Sequence, residues 1–163
     1  MVNVLVREAL PEEYSEAARV TVDAYRDYQA QMSPAAWAEY EADLADVPGR
    51  AVSAAILVAE AEGELVGAVS YFPAGARDSS WLAPDWAYFR ALGVAPTHRG
   101  LGVGRALTQA CIDRARGEGA GGLGLHTTEA MPLARAMYER MGFVQYAEYD
   151  GGTWKYWSYL MRF

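Results

Sequence analysis

The sequence is poor in the residues that build disulfides, metal centres and lysine-containing phosphate loops. It has one cysteine, Cys111, two histidines and one lysine in 163 residues. A single cysteine cannot form an internal disulfide, which favours a reducing, cytoplasmic location. So few thiols and imidazoles argue against a structural zinc site. Lys155 is followed by Tyr156, so there is no Walker A loop, and neither a His-Glu-x-x-His nor a Gly-x-Ser-x-Gly motif occurs.

Long apolar runs and basic patches are also missing. No stretch approaches the roughly 18 apolar residues of a membrane helix, and the first residues lack the charged-then-apolar order of a secretory signal. The net charge is -7, and residues 1–50 hold ten acidic residues against four arginines. A nucleic-acid partner needs a basic face, so this charge excludes one. The acidic first third either keeps helix faces solvated or steers a cationic substrate.

The length and the 52% of hydrophobic residues predict one globular domain over residues 1–163. Hydrophobic periodicity and turn residues predict the order β-α-α-β-β-β-α-β-α-β-β. The predicted strands cover 2–7, 56–61, 65–72, 88–94, 123–127, 143–149 and 155–163. Helices are predicted to begin near Pro11 and Ser33 and to cover 103–116 and 132–141. Pro48 and Gly49 are expected to end the second helical unit, and 73–86 to form an ordered loop.

A strand, a turn and a helix meet in the segment 92–107. The first amides of a helix have no internal hydrogen-bond partner, and the helix dipole adds positive charge there. Gly100, Gly102 and Gly104 would let an anion reach these amides, so the segment predicts a pyrophosphate cradle. A second glycine-rich stretch, 119–124, spells Gly-x-Gly-x-x-Gly. It lies between a helix and a strand, the reverse of the order that a dinucleotide site requires, and is predicted to be a connector.

The segment carrying the turn resembles the first signature of the GNAT superfamily of N-acetyltransferases. The residues that match Val-x-Pro-x-x-Arg-Gly-x-Gly-x-Gly are Val94, Pro96, Arg99, Gly100, Gly102 and Gly104. The resemblance implies that the coenzyme A pyrophosphate is held by the backbone amides of Arg99, Gly100, Leu101, Gly102, Val103, Gly104 and Arg105. It also implies that the strand with Leu92, Gly93 and Val94 pairs with the pantetheine arm. The implied fold is α/β, with a mixed, mostly antiparallel sheet of about seven strands, splayed at strands 4 and 5, and about four helices.

A second segment, 134–143, resembles the other signature of the family, with matches at Ala134, Tyr138, Gly142 and Phe143. The resemblance implies that Tyr138 is the general acid toward the coenzyme A sulfur. The alternative is a tyrosine that packs on an amphipathic helix. Met131 stands where the signature has Asn, and a thioether cannot replace the hydrogen bonds of an amide. That contact is lost, taken by water, or taken by a neighbour such as Thr128 or Glu129.

The sequence leaves the general base open. His126 ends the strand beside the expected thioester, and an imidazole titrates near neutral pH, as a base should. A purely structural histidine is the alternative. Glu129 and Asp85 are carboxylates near strand ends, expected on the same side of the sheet, and either could bind an ammonium group or relay a proton.

Substrate selection in the family usually falls to the first two helices and to the loop before the fourth strand. Here these contribute Tyr25, Tyr28, Trp81 and Trp86, with Asp85 close by. Aromatic walls with acidic neighbours could hold a cationic amine through cation–π contacts. Core packing is the alternative for these side chains.

The resemblance as a whole implies transfer of the acetyl group of acetyl-CoA to a primary amine of a small molecule or peptide. Because the sequence offers no suitable nucleophile, direct attack by the amine in a ternary complex is expected. No metal is expected to take part. A non-catalytic acyl-CoA-binding regulatory module and an acyltransferase that uses another acyl-CoA are the alternatives. Dimers are common in the family, so a homodimer is one expected assembly.

Overall fold

A computed structural model describes residues 2–76 and 80–163 of the chain. Within these residues, seven strands form one sheet in the order β1-β2-β3-β4-β5-β7-β6. The strands are β1 (Val4–Glu8), β2 (Ala55–Ala61), β3 (Glu64–Phe72), β4 (Trp86–Val94), β5 (Gly122–Thr128), β6 (Val144–Asp150) and β7 (Lys155–Arg162). The α-helices are α1 (Tyr14–Tyr25), α2 (Pro34–Ala45), α3 (Val47–Ala51), α4 (Val103–Gly117) and α5 (Pro132–Met141). Short 3-10 turns cover Pro11–Glu13, Arg26–Gln31 and Pro96–His98.

Apolar residues on both faces of the sheet pack against helices. One face of the central strands contacts α4 and α5 in a core that includes Leu107, Leu125 and Tyr159. The other face contacts α1 and α3 in a smaller core that includes Val58. Because both faces are covered, β2 and β3 are buried along most of their length, as expected for strands between two helical layers.

The sheet contains one parallel pair, β4 with β5, and this pair separates after three residues. The last matched residues are Tyr88 and Gly124. Beyond them β4 bulges, with a register shift against β3 and a left-handed φ of 57° at Ala91. A bulge bends its strand and increases the local twist. The result is a cleft between the carboxyl-terminal halves of β4 and β5.

The predicted fold class is confirmed, including the splay between strands 4 and 5. The helix count differs, because α3 forms where Pro48 and Gly49 were expected to end the helical unit. Asp46 caps α3, its side chain accepting a hydrogen bond from Gly49 N at 3.0 Å, and Pro48 lies in the first turn, where its missing N–H is no loss. Of the predicted loop 73–86, residues 77–79 lie outside the described residues, and Trp86 already belongs to β4. In the described ranges, no helix combines the length and hydropathy needed to cross a bilayer.

Candidate active site

The glycine turn leads from the end of β4 into α4. Gly100 and Gly102 have φ values of 73° and 87°, a region that side chains rarely adopt. A Cβ on either would meet no atom within 4 Å, so these two glycines are required by conformation rather than by space. Gly102 is the N-cap of α4 and offers no side-chain cap. The first amides of α4 are therefore free to bind an anion.

The side chain of Arg99 fixes the turn to the end of α1. Its guanidinium donates to Asp27 Oδ2 at 2.7 Å and to Ala24 O at 2.8 Å. Both acceptors lie at or just beyond the end of α1. Arg99 therefore positions the turn with its side chain, which leaves its backbone amide for a ligand. Arg105, in the first turn of α4, is exposed and adds positive charge there.

The strand segment 92–94 lies between α1 and the cleft. Tyr25 donates from its hydroxyl to Leu92 O at 2.7 Å, so this carbonyl already has a partner. Gly93 and Val94 pair with β3. A Cβ on Gly93 would lie 3.0 Å from Ala24 Cβ, so the absence of a side chain allows α1 to pack directly on β4.

Tyr138 lies on α5 and is buried between aromatic rings. It is 5% exposed, and its ring meets those of Phe89 and Phe143 edge-on at 6.0 and 5.8 Å. Within the described residues its hydroxyl has no hydrogen-bond partner. Burial raises the pKa of Tyr138 well above its ordinary value. The hydroxyl therefore stays protonated at neutral pH and can donate.

A cavity of about 410 Å³ opens at the cleft, just beyond the last β4–β5 pair. Its walls are mostly aromatic. It is lined by Tyr25, Tyr40, Leu44, Trp81, Tyr88, Phe89, Arg90, Ala91, His126, Thr127, Thr128, Met131 and Tyr156. Arg90 forms an ion pair with Asp43 and is the one arginine among the described lining residues, which include no carboxylate. The predicted acidic neighbours are thus absent from this part of the wall.

His126 faces this cavity from β5. Its ring lies 4.1 Å from that of Trp81 and 5.5 Å from that of Tyr156. Gly124 permits the first contact, because a Cβ there would lie 2.8 Å from the Trp81 ring. Desolvation, followed by the charge of Arg90, lowers the pKa of His126 below its ordinary 6.5. A neutral imidazole at neutral pH can accept a proton.

The two candidate carboxylates lie at opposite ends of the sheet, so the prediction that they share a side is wrong. β4 and β5 run parallel. Asp85 precedes β4, whereas Glu129 follows β5. The carboxylate of Glu129 accepts a hydrogen bond from Lys155 N at 3.0 Å and does not line the cavity.

The residues predicted to bind the amine substrate also lie in separate places. Tyr25 and Trp81 line the cavity at the cleft. Asp85 and Trp86 line a second cavity, of about 450 Å³, at the other end of β4, because Asp85 directly precedes the strand and Trp86 is its first paired residue. Tyr28 is not among the lining residues; its ring contacts that of Tyr25 at a tilt, with 5.9 Å between the ring centroids.

Sequence reasoning missed Tyr40, Arg90 and Thr127 as cavity residues. Thr127 is 3% exposed, and its Oγ1 is a buried polar atom without a hydrogen-bond partner within the described residues. The signal was available, because Thr127 interrupts the alternating apolar series of Leu123 and Leu125 in β5.

The comparisons with known proteins agree with this geometry. The sequence matches the Acetyltransferase (GNAT) family over residues 9–143. It is 30% identical over 121 residues to N-acetyltransferase family 8 member 3 of Rattus norvegicus, covering 69% of this chain and 52% of that protein. It is 41% identical over 85 residues to the streptothricin acetyltransferase of Streptomyces lavendulae, covering 51% of this chain and 40% of that protein.

The fold has close counterparts among solved structures. The paia N-acetyltransferase of Thermoplasma acidophilum, solved in complex with coenzyme A, superposes with a TM-score of 0.79 at 13% identity, covering 99% of both chains. The chain described here belongs to the GNAT family of acetyltransferases. It spans about half the length of the curated relatives it matches.

Proposed function

We propose that this chain transfers the acetyl group of acetyl-CoA to a primary amine of a small molecule or peptide, and that residues 1–163 form one N-acetyltransferase domain. The observation that carries the proposal is the β4–β5 cleft, with the glycine turn at one end and the 410 Å³ cavity beside it. In the proposed complex, the phosphates of acetyl-CoA lie at the amides of 99–105, and the thioester lies in the cleft next to the cavity. A cytoplasmic location is part of the proposal, because a chain with a single cysteine has no internal disulfide to maintain.

The residues present fit such a ligand. Two left-handed glycines shape an anion site at the start of a 15-residue helix, and a buried hydroxyl without a partner lies in the cleft. The second feature is costly to a protein that binds nothing there, because a buried polar group without a partner destabilises the fold. We infer that an acyl-CoA supplies the missing partners.

Direct attack in a ternary complex is the reaction that these residues favour. Cys111 is fully buried in α4, and desolvation raises its thiol pKa far above the ordinary value, so it is no nucleophile. In the proposed reaction the amine nitrogen attacks the thioester carbonyl carbon, an amide bond forms, and the carbon–sulfur bond breaks. The amine loses one proton and the sulfur gains one.

Two side chains at the cleft suit these proton movements. We infer that Tyr138, protonated and without another partner, donates to the sulfur as general acid. We infer that His126, neutral and facing the cavity, accepts the proton of the amine, directly or through a water. Both contribute only if they reach the reacting atoms, which makes them the first residues to vary.

Thiol release from acetyl-CoA, measured against a panel of amines, tests the proposal. Release that depends on one class of amine supports it, and Tyr138→Phe should abolish most of that release. Tyr146→Phe is the matched control, since Tyr146 is an exposed tyrosine on β6. Longer acyl-CoAs, run in parallel, identify an acyltransferase of different chain preference.

Two results would contradict the proposal. Tight binding of acetyl-CoA without transfer to any amine would favour a regulatory module. If no acyl-CoA raises the Tm, coenzyme A binding itself is refuted, because a ligand of the native state stabilises it.

A further inference from the structure

Thr127 has a buried hydroxyl for which the described part of the chain provides no partner. It lies on β5, three residues beyond Gly124, where pairing with β4 ends. Its side chain is 3% exposed, and Thr127 Oγ1 is the side-chain polar atom that is enclosed from solvent and also lacks a hydrogen bond among the described residues. Buried hydroxyls are normally bonded, and an exception in a cleft points to a ligand.

The position of Thr127 matches the wide part of the cleft. Ala91 lies three residues beyond Tyr88 on β4, and Thr127 lies three residues beyond Gly124 on β5. Ala91 is the left-handed residue of the β4 bulge, and both residues line the 410 Å³ cavity. A hydroxyl on β5 therefore faces a gap that β4 does not close.

The two polar side chains that follow Thr127 already accept hydrogen bonds. Thr128 Oγ1 accepts a hydrogen bond from Ala130 N at 3.3 Å, and Glu129 Oε1 accepts one from Lys155 N at 3.0 Å. Met131, the N-cap of α5, makes no side-chain cap bond. The His126 imidazole is exposed, so the hydroxyl of Thr127 is the buried side-chain group at the end of β5 whose donor and acceptor capacity are both unused.

We propose that the Thr127 hydroxyl binds an amide of the pantetheine arm of coenzyme A and fixes the depth of that arm in the cleft. A hydroxyl both donates and accepts, and so complements a secondary amide, which offers a carbonyl and an N–H. This inference rests on the proposed function, because it needs an acyl-CoA in the cleft. It assigns Thr127 a positioning role, with no part in proton transfer.

The test compares Thr127→Val, which keeps the shape and removes the hydroxyl, with Thr127→Ser, which restores it. The control is Thr21→Val, since Thr21 is equally buried and its hydroxyl donates to Ala17 O at 2.8 Å. Kd values are measured by calorimetry for acetyl-CoA, for coenzyme A and for 3′-phosphoadenosine 5′-diphosphate, which lacks the arm. The Tm of each ligand-free variant is measured as well.

Loss of one buried hydrogen bond in Thr127→Val should lower the affinity for both acetyl-CoA and coenzyme A by about 5- to 10-fold. The affinity for the nucleotide without the arm should stay within about twofold, and Thr127→Ser should recover most of the loss. The ligand-free Tm of Thr127→Val should equal or exceed that of the wild type, because an unpaired hydroxyl is removed, whereas Thr21→Val should lower it.

The inference is overturned if Thr127→Val binds acetyl-CoA as tightly as the wild type does. It is also overturned if the substitution lowers the affinity for 3′-phosphoadenosine 5′-diphosphate by the same factor. It is also overturned if the ligand-free Tm falls as far as in Thr21→Val, which would mark a structural role. If the wild type binds acetyl-CoA but transfers nothing, only the proposed function fails. If the wild type binds none of the three ligands, both fail.

Discussion

Replacing Gly104 by alanine should stabilise the free protein and weaken coenzyme binding at once. Gly104 lies in the first turn of α4 with an ordinary helical backbone. An added Cβ would lie 3.7 Å from Val94 Cγ2 and 3.8 Å from both Leu92 Cδ2 and Met137 Sδ. These are normal contact distances, so the methyl group fits. Glycine costs a helix about 0.5–1 kcal/mol relative to alanine.

For a chain of this size, that gain should raise the Tm by about 1–4 °C. The same methyl group would stand where α4, β4 and α5 meet, at the mouth of the cleft. A ligand that runs from the glycine turn into the cleft must pass there. We therefore expect Gly104→Ala to weaken coenzyme A binding at least about tenfold, or about 1.4 kcal/mol.

Calorimetry gives the Kd, and a thermal melt of the ligand-free protein gives the Tm. Gly117→Ala is the control, since Gly117 ends the same helix and a Cβ there meets nothing within 4 Å. It should leave the Kd unchanged. A lower Tm in Gly104→Ala would show that the methyl group does not fit, and an unchanged Kd would show that the coenzyme does not enter by this route.

Three further predictions concern the reacting groups and the cavity. Tyr138→Phe should lower kcat about 100-fold with little change in the Kd of acetyl-CoA, and an unchanged kcat would remove Tyr138 as the acid. The pKa of His126 lies below 6.5, so the ring becomes protonated, and inactive as a base, only at pH values below 6.5. We therefore expect kcat/KM to fall in that acidic range, and His126→Gln should abolish this dependence. The folded state disfavours the protonated ring, so stability should also decline in that range, which melts at several pH values can test. Gly124→Ala should displace Trp81 from His126, since its Cβ would lie 2.8 Å from the indole, and raise KM for the amine while the Kd of coenzyme A stays constant.

The local part of the site could be predicted because its signals are local. The sequence predicted a strand end, a glycine turn and a helix start within a dozen residues, and the structure has each of them in order. The glycine-rich stretch 119–124 was correctly predicted to follow a helix and precede a strand, but it is not a connector throughout, because residues 122–124 already belong to β5. Such features follow from backbone conformation, which depends on near neighbours.

The cavity was harder to predict because it depends on the relation between strands. Asp85 and Glu129 both adjoin strands, yet only the parallel pairing of β4 and β5 shows that they lie at opposite ends. Arg90 and Tyr40 come together through the packing of α2 near the end of the cleft, which no spacing in the sequence reveals. Thr127 left a trace in the strand pattern, but its lack of a partner is visible only in three dimensions.

β4 and β5 are paired over only three residues, and this short pairing joins two halves of the sheet. Each half is built from consecutive strands of the chain. Strands β1 to β4 all precede residue 95, and strands β5 to β7 all follow residue 121, with α4 between them in sequence. Each half-sheet can therefore form from its own stretch of chain, and the edges along the cleft keep backbone groups without strand partners. These edges should exchange amide hydrogens quickly in the free protein. An extended ligand that hydrogen-bonds to β4 would act as an additional strand at this free edge. Amide hydrogen exchange at residues 89–94 should therefore slow when such a ligand binds.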